Sequence, residues 1–277
     1  MQTNMAFLKF NKSELVNLSY SLKREILLAS KTGAYCNTSI VTCNTRRYHG
    51  LLAVPVEKFD GYRYMLLSSL DESLTLRGKR FNLGIHCYGD IYEPRGHKYI
   101  VDFDADPVPM VTYKIGEIVF RKSFALVQDS NQILIKYELV NAPAKVKLEL
   151  KPFLSFRKVH DLTQQNDTAR TEGREIEGGM AYNLYEGFPD LNLQLSSAST
   201  FKSAPCWYNG VTYSDEMRRG FDCREDLFVP GTFELELKPG DSVVVSGSRP
   251  RARAPSASST PTRRSAGSPR SAATSTC

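Results

Sequence analysis

One stretch of this chain reads Asn44-Thr45-Arg46-Arg47-Tyr48-His49-Gly50-Leu51-Leu52-Ala53-Val54. It places two guanidinium groups, a phenol and an imidazole directly before Gly50, and an apolar run then leads to Pro55. The apolar run predicts a buried strand. The polar side chains therefore lie where a strand enters a sheet. Their donors need partners, because an arginine is expensive to bury without a carboxylate, a carbonyl or a ligand.

Short apolar-polar alternations recur along most of the chain. Residues 111–115 alternate up to a turn at Gly116, and several later segments repeat the pattern. Alternation with period two, broken by turn residues at short spacing, predicts an all-β fold. The expected architecture is a large antiparallel β-sandwich of the supersandwich-like type. We expect two early strands at Leu22–Ser30 and Ser39–Thr42. We also expect a long exposed loop from Asp161 to Gly179, where apolar residues are nearly absent.

The composition changes abruptly after Val245. Residues 246–277 contain no Leu, Ile, Val, Met or aromatic residue. Such a segment cannot bury enough apolar surface to offset the entropy of ordering it, so we expect it to be disordered. The sequence thus divides into a β-sandwich domain at 1–245 and a tail at 246–277. The tail is either a natural basic linker or the product of a shifted reading frame.

The net charge is concentrated in this tail. The 277 residues carry a net charge of +6, but six of the 36 basic residues are arginines of the tail, which has no acidic residue; the other 30 balance the 30 acidic residues. A neutral domain gives no electrostatic reason to expect nucleic acid or an anionic membrane as a partner. No signal peptide, membrane-spanning apolar run or Cys-x-x-Cys pair is apparent. We therefore expect a cytoplasmic protein with reduced thiols.

The opening stretch resembles the signature of the amino-terminal domain of bacterial and archaeal glycogen debranching enzymes, of the amylo-α-1,6-glucosidase type. Two later segments match the same family in the same order. One is Lys151–His160, and the other runs from Trp207 through Glu216 and Glu225 to Gly231. Three ordered matches are much more specific than one, and the resemblance covers about residues 20 to 245.

The resemblance implies that the full family protein hydrolyses α-1,6 branch linkages in glycogen-like glucans. It also implies that the catalytic carboxylates lie in an (α/α)6 helical domain after the β-domain. We therefore expect this chain to be truncated before its catalytic domain, and we assign it no catalytic residue, cofactor or metal. The expected partners are an α-glucan and that helical domain.

The alternative is a stand-alone, non-catalytic carbohydrate-binding or scaffolding β-sandwich. The nucleotide sequence after codon 246 distinguishes the two hypotheses. A helical, acid-bearing continuation in another frame favours the debranching enzyme.

The candidate site residues occur in the three family-like segments. We expect them to bind substrate or to contact another domain, and they are Arg46, Arg47, Tyr48, His49, Arg157, His160 and Trp207. In a functional interpretation one arginine and His49 bond sugar hydroxyls, while Tyr48 stacks on a sugar ring. In a structural interpretation the arginines pair with carboxylates such as Glu216 or Glu225 and hold two sheets together. Hydrogen bonding at the surface for His160, and core packing for Trp207, are open alternatives.

Two further residue sets have candidate chemistry. Glycoside hydrolysis needs two carboxyl groups flanking the bond, and Glu216 with Glu225 or Asp226 offers such groups. The resemblance argues against that assignment, since it places the catalytic acids elsewhere. His86, Cys87 and His97 lack a recognised ligand spacing and do not predict a metal site.

Overall fold

The computed structural model describes residues 8–249, which form two large antiparallel sheets packed face to face. The predicted all-β sandwich is confirmed. The strands described are β1 (Lys9–Asn11), β2 (Glu25–Ala29), β3 (Tyr35–Ser39), β4 (Gly50–Pro55), β5 (Arg63–Leu76), β6 (Lys79–Asn82), β7 (His86–Tyr88), β8 (Ile91–Glu93), β9 (Ile100–Asp104), β10 (Met110–Ile115), β11 (Ile118–Leu126), β12 (Gln132–Asn141), β13 (Val146–Lys158), β14 (Arg174–Ile176), β15 (Gly179–Tyr182), β16 (Leu191–Leu195), β17 (Thr200–Thr212), β18 (Arg224–Leu237) and β19 (Ser242–Ser248). The helical elements are short: α1 (Lys12–Leu15), α2 (Leu18–Leu22), a 3-10 turn at Gly96–Tyr99, and α3 (Ser214–Arg218).

Within residues 8–249 the first sheet has nine strands, in the order β1-β9-β10-β11-β12-β19-β16-β15-β14. The second has eight, in the order β17-β18-β13-β5-β4-β3-β2 with β6 beside β5. The β7 and β8 strands form a separate hairpin. This hairpin lines one of the two clefts described below, and the segment that follows α3 lines the other.

The core between the sheets contains an ion pair as well as apolar side chains. Lys122 of β11 and Glu72 of β5 are 2% and 1% exposed, and their Nζ and Oε1 atoms lie 2.5 Å apart. Lys122 also donates to the Leu70 carbonyl at 3.2 Å, and the Tyr137 hydroxyl donates to Glu72 at 2.6 Å. Burial raises the pKa of Glu72 against the opposing charge of Lys122. The pair therefore joins the two sheets, and removal of either partner would leave the other as an uncompensated buried charge.

The second sheet is apolar on both faces. Along β18, Phe228 belongs to the main core, while its neighbours Leu227 and Val229 belong to a smaller cluster. Because adjacent residues of a strand point to opposite faces, that smaller cluster lies on the face turned away from the first sheet, here called the outer face. The outer face carries two such clusters, one of Phe153, Val211, Leu227 and Val229 and one of Ala53, Met65 and Val159.

Several element boundaries differ from those predicted. The expected strand at Leu22–Ser30 begins only at Glu25, because α2 continues to Leu22. The strand expected at Ser39–Thr42 lies earlier, as β3: Thr42 has a φ of 61°, and Ile40 and Val41 fill the core from a turn instead of a strand. The loop expected from Asp161 to Gly179 contains the short strand β14 and the buried Thr163.

The last strand of the described residues continues past the expected domain boundary at residue 245. Strand β19 ends at Ser248 and pairs with both β12 and β16. Arg249 follows it, and its Nη1 donates to the Pro55 carbonyl at 2.7 Å. The rest of the tail expected at 246–277 lies outside the described residues.

Candidate functional site

The polar segment Arg46–His49 lies in the loop between β3 and β4. Strand β4 begins at Gly50, where a Cβ would lie 2.0 Å from Sδ of Met65 on the neighbouring strand β5 and 3.2 Å from the Leu67 carbonyl oxygen. The missing side chain therefore lets Met65 cover the start of β4. Met65 belongs to one of the outer-face clusters, and Tyr48 packs against that cluster. The polar segment is thus fixed above an apolar base.

His49 is completely buried. Its Nδ1 accepts a hydrogen bond from the Thr45 backbone N–H at 3.1 Å, so the ring proton is assigned to Nε2. Nε2 lies 3.5 Å from Oε1 of Glu25, too far for a hydrogen bond of normal geometry. The side chain of His49 is therefore not accessible to a sugar hydroxyl, contrary to the functional interpretation. It stabilises the loop, and its nearest group toward the surface is the Glu25 carboxylate.

Arg46 and Glu25 form a half-exposed ion pair above His49. Arg46 Nε donates to Glu25 Oε1 at 2.8 Å and lies 3.7 Å from Asp215 of α3. Asp215 in turn accepts from the Thr45 hydroxyl at 3.0 Å. The neighbouring His49 ring lowers the pKa of the Glu25 carboxyl group, and burial raises it. The hydrogen bond from Arg46 lowers the pKa again, so that its value is about 2. Glu25 is therefore a stable anion that joins β2 to the polar segment.

Arg157 is buried and holds a carboxylate with its guanidinium fork. Its Nη2 donates to Oε2 of Glu225 at 2.9 Å, and its Nε donates to Oε1. Glu225 also accepts from the Tyr213 hydroxyl and from the Thr163 backbone N–H, the latter at 3.2 Å. Burial alone lowers the pKa of Arg157, but the charge of Glu225 outweighs it, so the pKa stays above the ordinary value.

A β-bulge accompanies the turn of Arg157 toward the outer face. The step from Leu154 to Arg157 on β13 matches the step from Leu67 to Met65 on β5, so β13 carries one extra residue there. Phe156, inside the bulge, has a φ of 52° and is buried in the main core. Arg157 also donates to the Arg47 carbonyl at 2.9 Å. The bulge thus links the second family-like segment to the first.

Arg47 reaches the surface beside an aromatic ring. Its Nη1 donates to the His160 carbonyl at 2.9 Å, and its guanidinium carbon lies 5.5 Å from the ring centre of Phe221. The hydroxyl of Tyr48 lies 3.2 Å from Nδ1 of His160, and the two rings meet edge to face. Arg47, Tyr48 and His160 therefore form one contiguous surface, as the shared family-like segments suggest.

Glu216 of α3 lies behind this surface. Its side chain is fully buried, and within residues 8–249 neither carboxylate oxygen accepts a hydrogen bond. The nearest cations are Arg219 at 3.7 Å and Arg47 at 3.9 Å. The charge of Glu216 thus favours the guanidinium of Arg47 at the surface without fixing its hydrogen-bonding atoms.

A cleft of about 600 Å³ opens between these side chains. It is called the first cleft here and is lined by Arg47, His160, Asp161, Leu162, Gln164, Phe221, Asp222, Cys223 and Arg224. Two arginines and two aspartates balance the formal charge of its walls. Phe221 is 47% exposed, and Met217 nearby in α3 is 41% exposed. The first cleft therefore combines balanced charge with apolar surface in water.

The segments that form this surface lie within a match to one known protein family. The family model for the glycogen debranching enzyme N-terminal domain matches residues 24–244. The match includes the polar loop, the bulged end of β13 and all of α3 and β18. This chain belongs to the glycogen debranching enzyme N-terminal family.

Comparisons beyond the family are distant. No curated protein matches the chain. A heparan sulfate lyase from Pedobacter heparinus matches 83% of this chain at 10% identity, with a TM-score of 0.43, and a polysaccharide lyase matches 81% at 14% identity, with a TM-score of 0.32. The chain spans 36% and 31% of the length of those two proteins. TM-scores this low support no conclusion about the fold or the function of this debranching-enzyme domain.

Trp207 lies apart from the first cleft. It pairs with Phe228 across β17 and β18, the two rings meet at 5.4 Å, and Trp207 packs against the main core. Core packing was one of the two alternatives for this residue. The structure thus groups six of the seven candidate residues around one loop and leaves Trp207 on the opposite face of the sheet.

The side chains His86, Cys87 and His97 do not converge. Nε2 of His86 lies 2.8 Å from Asp71, and Sγ of Cys87 lies 3.1 Å from the Gly89 carbonyl. Among residues 8–249 no group of three or more His, Cys, Asp or Glu side chains could hold a metal ion. No helix in the same range is long and apolar enough to cross a membrane.

Sequence reasoning missed several residues on which the site depends. Glu25 lies in β2, 21 positions before its partner Arg46. Thr163 and Tyr213 complete the shell of Glu225, and Phe221 provides the exposed ring of the first cleft. The only sequence signal for any of these residues is the run of aromatic and charged residues after Tyr213.

Proposed function

We propose that this chain acts as the amino-terminal β-domain of a cytoplasmic amylo-α-1,6-glucosidase that removes α-1,6 branches from glycogen-like glucans. In this proposal the first cleft faces a helical catalytic domain and the glucan between the two domains. The family match over residues 24–244 carries the proposal. The exposed Phe221 and Met217 beside charged groups support it, because domain interfaces mix polar and apolar surface.

The three carboxylates considered for hydrolysis are all committed to the fold or enclosed by it. Glu225 is saturated by Arg157, Tyr213 and Thr163. Asp226 accepts from the backbone N–H groups of Gln165 and Gly210 at 2.9 and 2.8 Å. The Glu216 side chain is fully buried. None of them has the exposed pair geometry that acid-base cleavage of a glycosidic bond requires, so the proposal assigns the catalytic acids to the helical domain.

The test uses the purified chain and a separately produced helical domain from a family member. We expect the chain alone to release no glucose from a limit dextrin, and we expect it to bind the helical domain in sedimentation velocity. Phe221→Ala should weaken that binding, whereas Ile91→Ala, which removes a similarly exposed apolar side chain elsewhere, should not. Glucose release by the chain alone that Glu216→Gln abolishes would contradict the proposal.

A further inference from the structure

A second cleft, of about 450 Å³, lies elsewhere on the outer face. The β7–β8 hairpin and strands β5, β6, β13 and β17 form its walls, and it shares no lining residue with the first cleft. Its base is Phe153, which belongs to the outer-face cluster against which Tyr88 and Tyr208 pack. The volume is within the range of about 300 to 1,000 Å³ that is typical of small-molecule sites.

The polar groups of the second cleft are held in place by one another. Nε2 of His86 lies 2.8 Å from Oδ2 of Asp71, and the His86 ring packs on Phe153 with centroids 4.7 Å apart. Lys151 Nζ donates to the Tyr208 hydroxyl at 2.7 Å. A Cβ at Gly84 would lie 2.3 Å from Oδ2 of Asp71, so a side chain there would displace this carboxylate from the wall.

These pairs determine which ligand chemistry fits. Asp71 and Glu93 balance Arg80 and Lys151 on the walls, and the remaining carboxylate, Glu72, is paired with Lys122 in the core. The cleft therefore has no surplus of either charge for an ionic ligand. Carboxylate acceptors and an ammonium donor lie beside the half-buried ring of Tyr208. Sugar hydroxyls both donate and accept, and the C–H face of a sugar ring suits an aromatic surface. A phosphorylated ligand would need a cationic excess that these walls lack.

We propose that the second cleft binds a short stretch of neutral α-glucan. The polyhydroxyl chemistry follows from the cleft, while the choice of an α-glucan rests on the proposed function. One sugar ring packs on Tyr208, whose orientation Lys151 fixes. Hydroxyl groups donate to Asp71, because His86 uses only one of the acceptor positions of this carboxylate. The cleft holds the glucan away from the first cleft and thereby raises its local concentration at the domain.

Calorimetric titration of the full chain with maltoheptaose tests the proposal. Asp71→Asn keeps the shape of the side chain, and Tyr208→Phe keeps the ring while removing the hydroxyl that Lys151 holds. We expect about tenfold weaker binding for Asp71→Asn. The Tyr208→Phe change should weaken binding less, and Tyr208→Ala should weaken it most. Thermal midpoints recorded for every variant identify any that fails to fold, and the two conservative changes keep the test valid if Tyr208→Ala does not fold.

A matched control tests whether the effect is confined to the second cleft. Tyr62→Ala removes an exposed ring that lines neither cleft. This variant should bind maltoheptaose like the wild type. If all second-cleft variants also bind like the wild type, the inference is wrong. It is equally wrong if the wild type shows no binding at millimolar maltoheptaose, and binding of the helical domain then still reports separately on the proposed function.

Discussion

Arg157 and Glu225 form an enclosed, two-pronged ion pair that ties β13 to β18. The Tyr213 hydroxyl and the Thr163 N–H complete the hydrogen bonding of the carboxylate. The same guanidinium also donates to the carbonyl of Arg47. The pair thus connects three distant segments of the chain, and its geometry leaves no part of Glu225 for a substrate.

Removal of either partner should destabilise the fold strongly. We expect Arg157→Ala to cost about 3–5 kcal/mol, because Glu225 is then a buried charge without its counter-ion. Arg46→Ala is the matched control: its side chain is 35% exposed, and exposed pairs contribute at most about 1 kcal/mol. Urea unfolding measures both values. Equal losses would show that the two arginines do not differ in structural role.

Glu25 should contribute to the acid sensitivity of the domain. Its pKa falls from 4.5 to about 2 in the folded chain. A carboxyl group with a lowered pKa stabilises the fold fully above its ordinary pKa, and that stabilisation is lost as the pH falls from about 4.5 toward 2. Glu25→Gln should therefore flatten the dependence of the urea midpoint on pH in this window. The exposed Glu57→Gln should leave the slope unchanged, and a flattening of equal size there would refute the assignment.

The ion pair between the sheets should behave as a coupled unit. Lys122→Met leaves Glu72 buried without its cation, and we expect a loss of about 3–5 kcal/mol. Adding Glu72→Gln removes that charge and keeps an acceptor for the Tyr137 hydroxyl, so the double variant should be more stable than Lys122→Met alone. Denaturant unfolding of the two single variants and the double variant gives the coupling. Additive losses would mean that the two side chains do not interact.

The exposed ring of Phe221 should promote self-association of the isolated chain. An apolar side chain 47% exposed beside the half-buried Arg47 resembles an uncovered interface. We expect Phe221→Ser to reduce the weight-average sedimentation coefficient at high protein concentration and to leave the thermal midpoint within error. Ile91→Ser changes another exposed apolar side chain and serves as control. An unchanged coefficient for Phe221→Ser would exclude this face as the contact.

The strand pairing at the end of β19 predicts how truncation affects the stability of the domain. Residues 246–248 pair with β12 and β16, although their composition matches the tail. A chain ending at residue 245 should therefore have a lower melting temperature than a chain ending at Arg249. Differential scanning calorimetry of both truncations decides this. Identical midpoints would show that the four residues 246–249 add nothing to stability.

The strands were more predictable than the site, and the reason is physical. Alternation is local, and β11 and β12 follow it directly because each of these strands buries one face. The site depends on partners far apart in sequence: Arg157 and Glu225 are separated by 68 positions, and Thr45 and Asp215 by 170. Pairing an arginine with Glu225 was a sound expectation, but the partner is Arg157, turned outward at a bulge that residue types do not reveal.

The two hydrogen bonds that hold Arg47 at the first cleft have a consequence for recognition. Arg47 is anchored at its carbonyl by Arg157 and at its guanidinium by the His160 carbonyl. Long flexible side chains usually lose rotamer freedom when a partner docks, and that loss weakens association. Here folding has already removed much of that freedom. A ligand or domain that meets this surface encounters a rigid template, so its affinity should depend on shape match and little on induced adjustment.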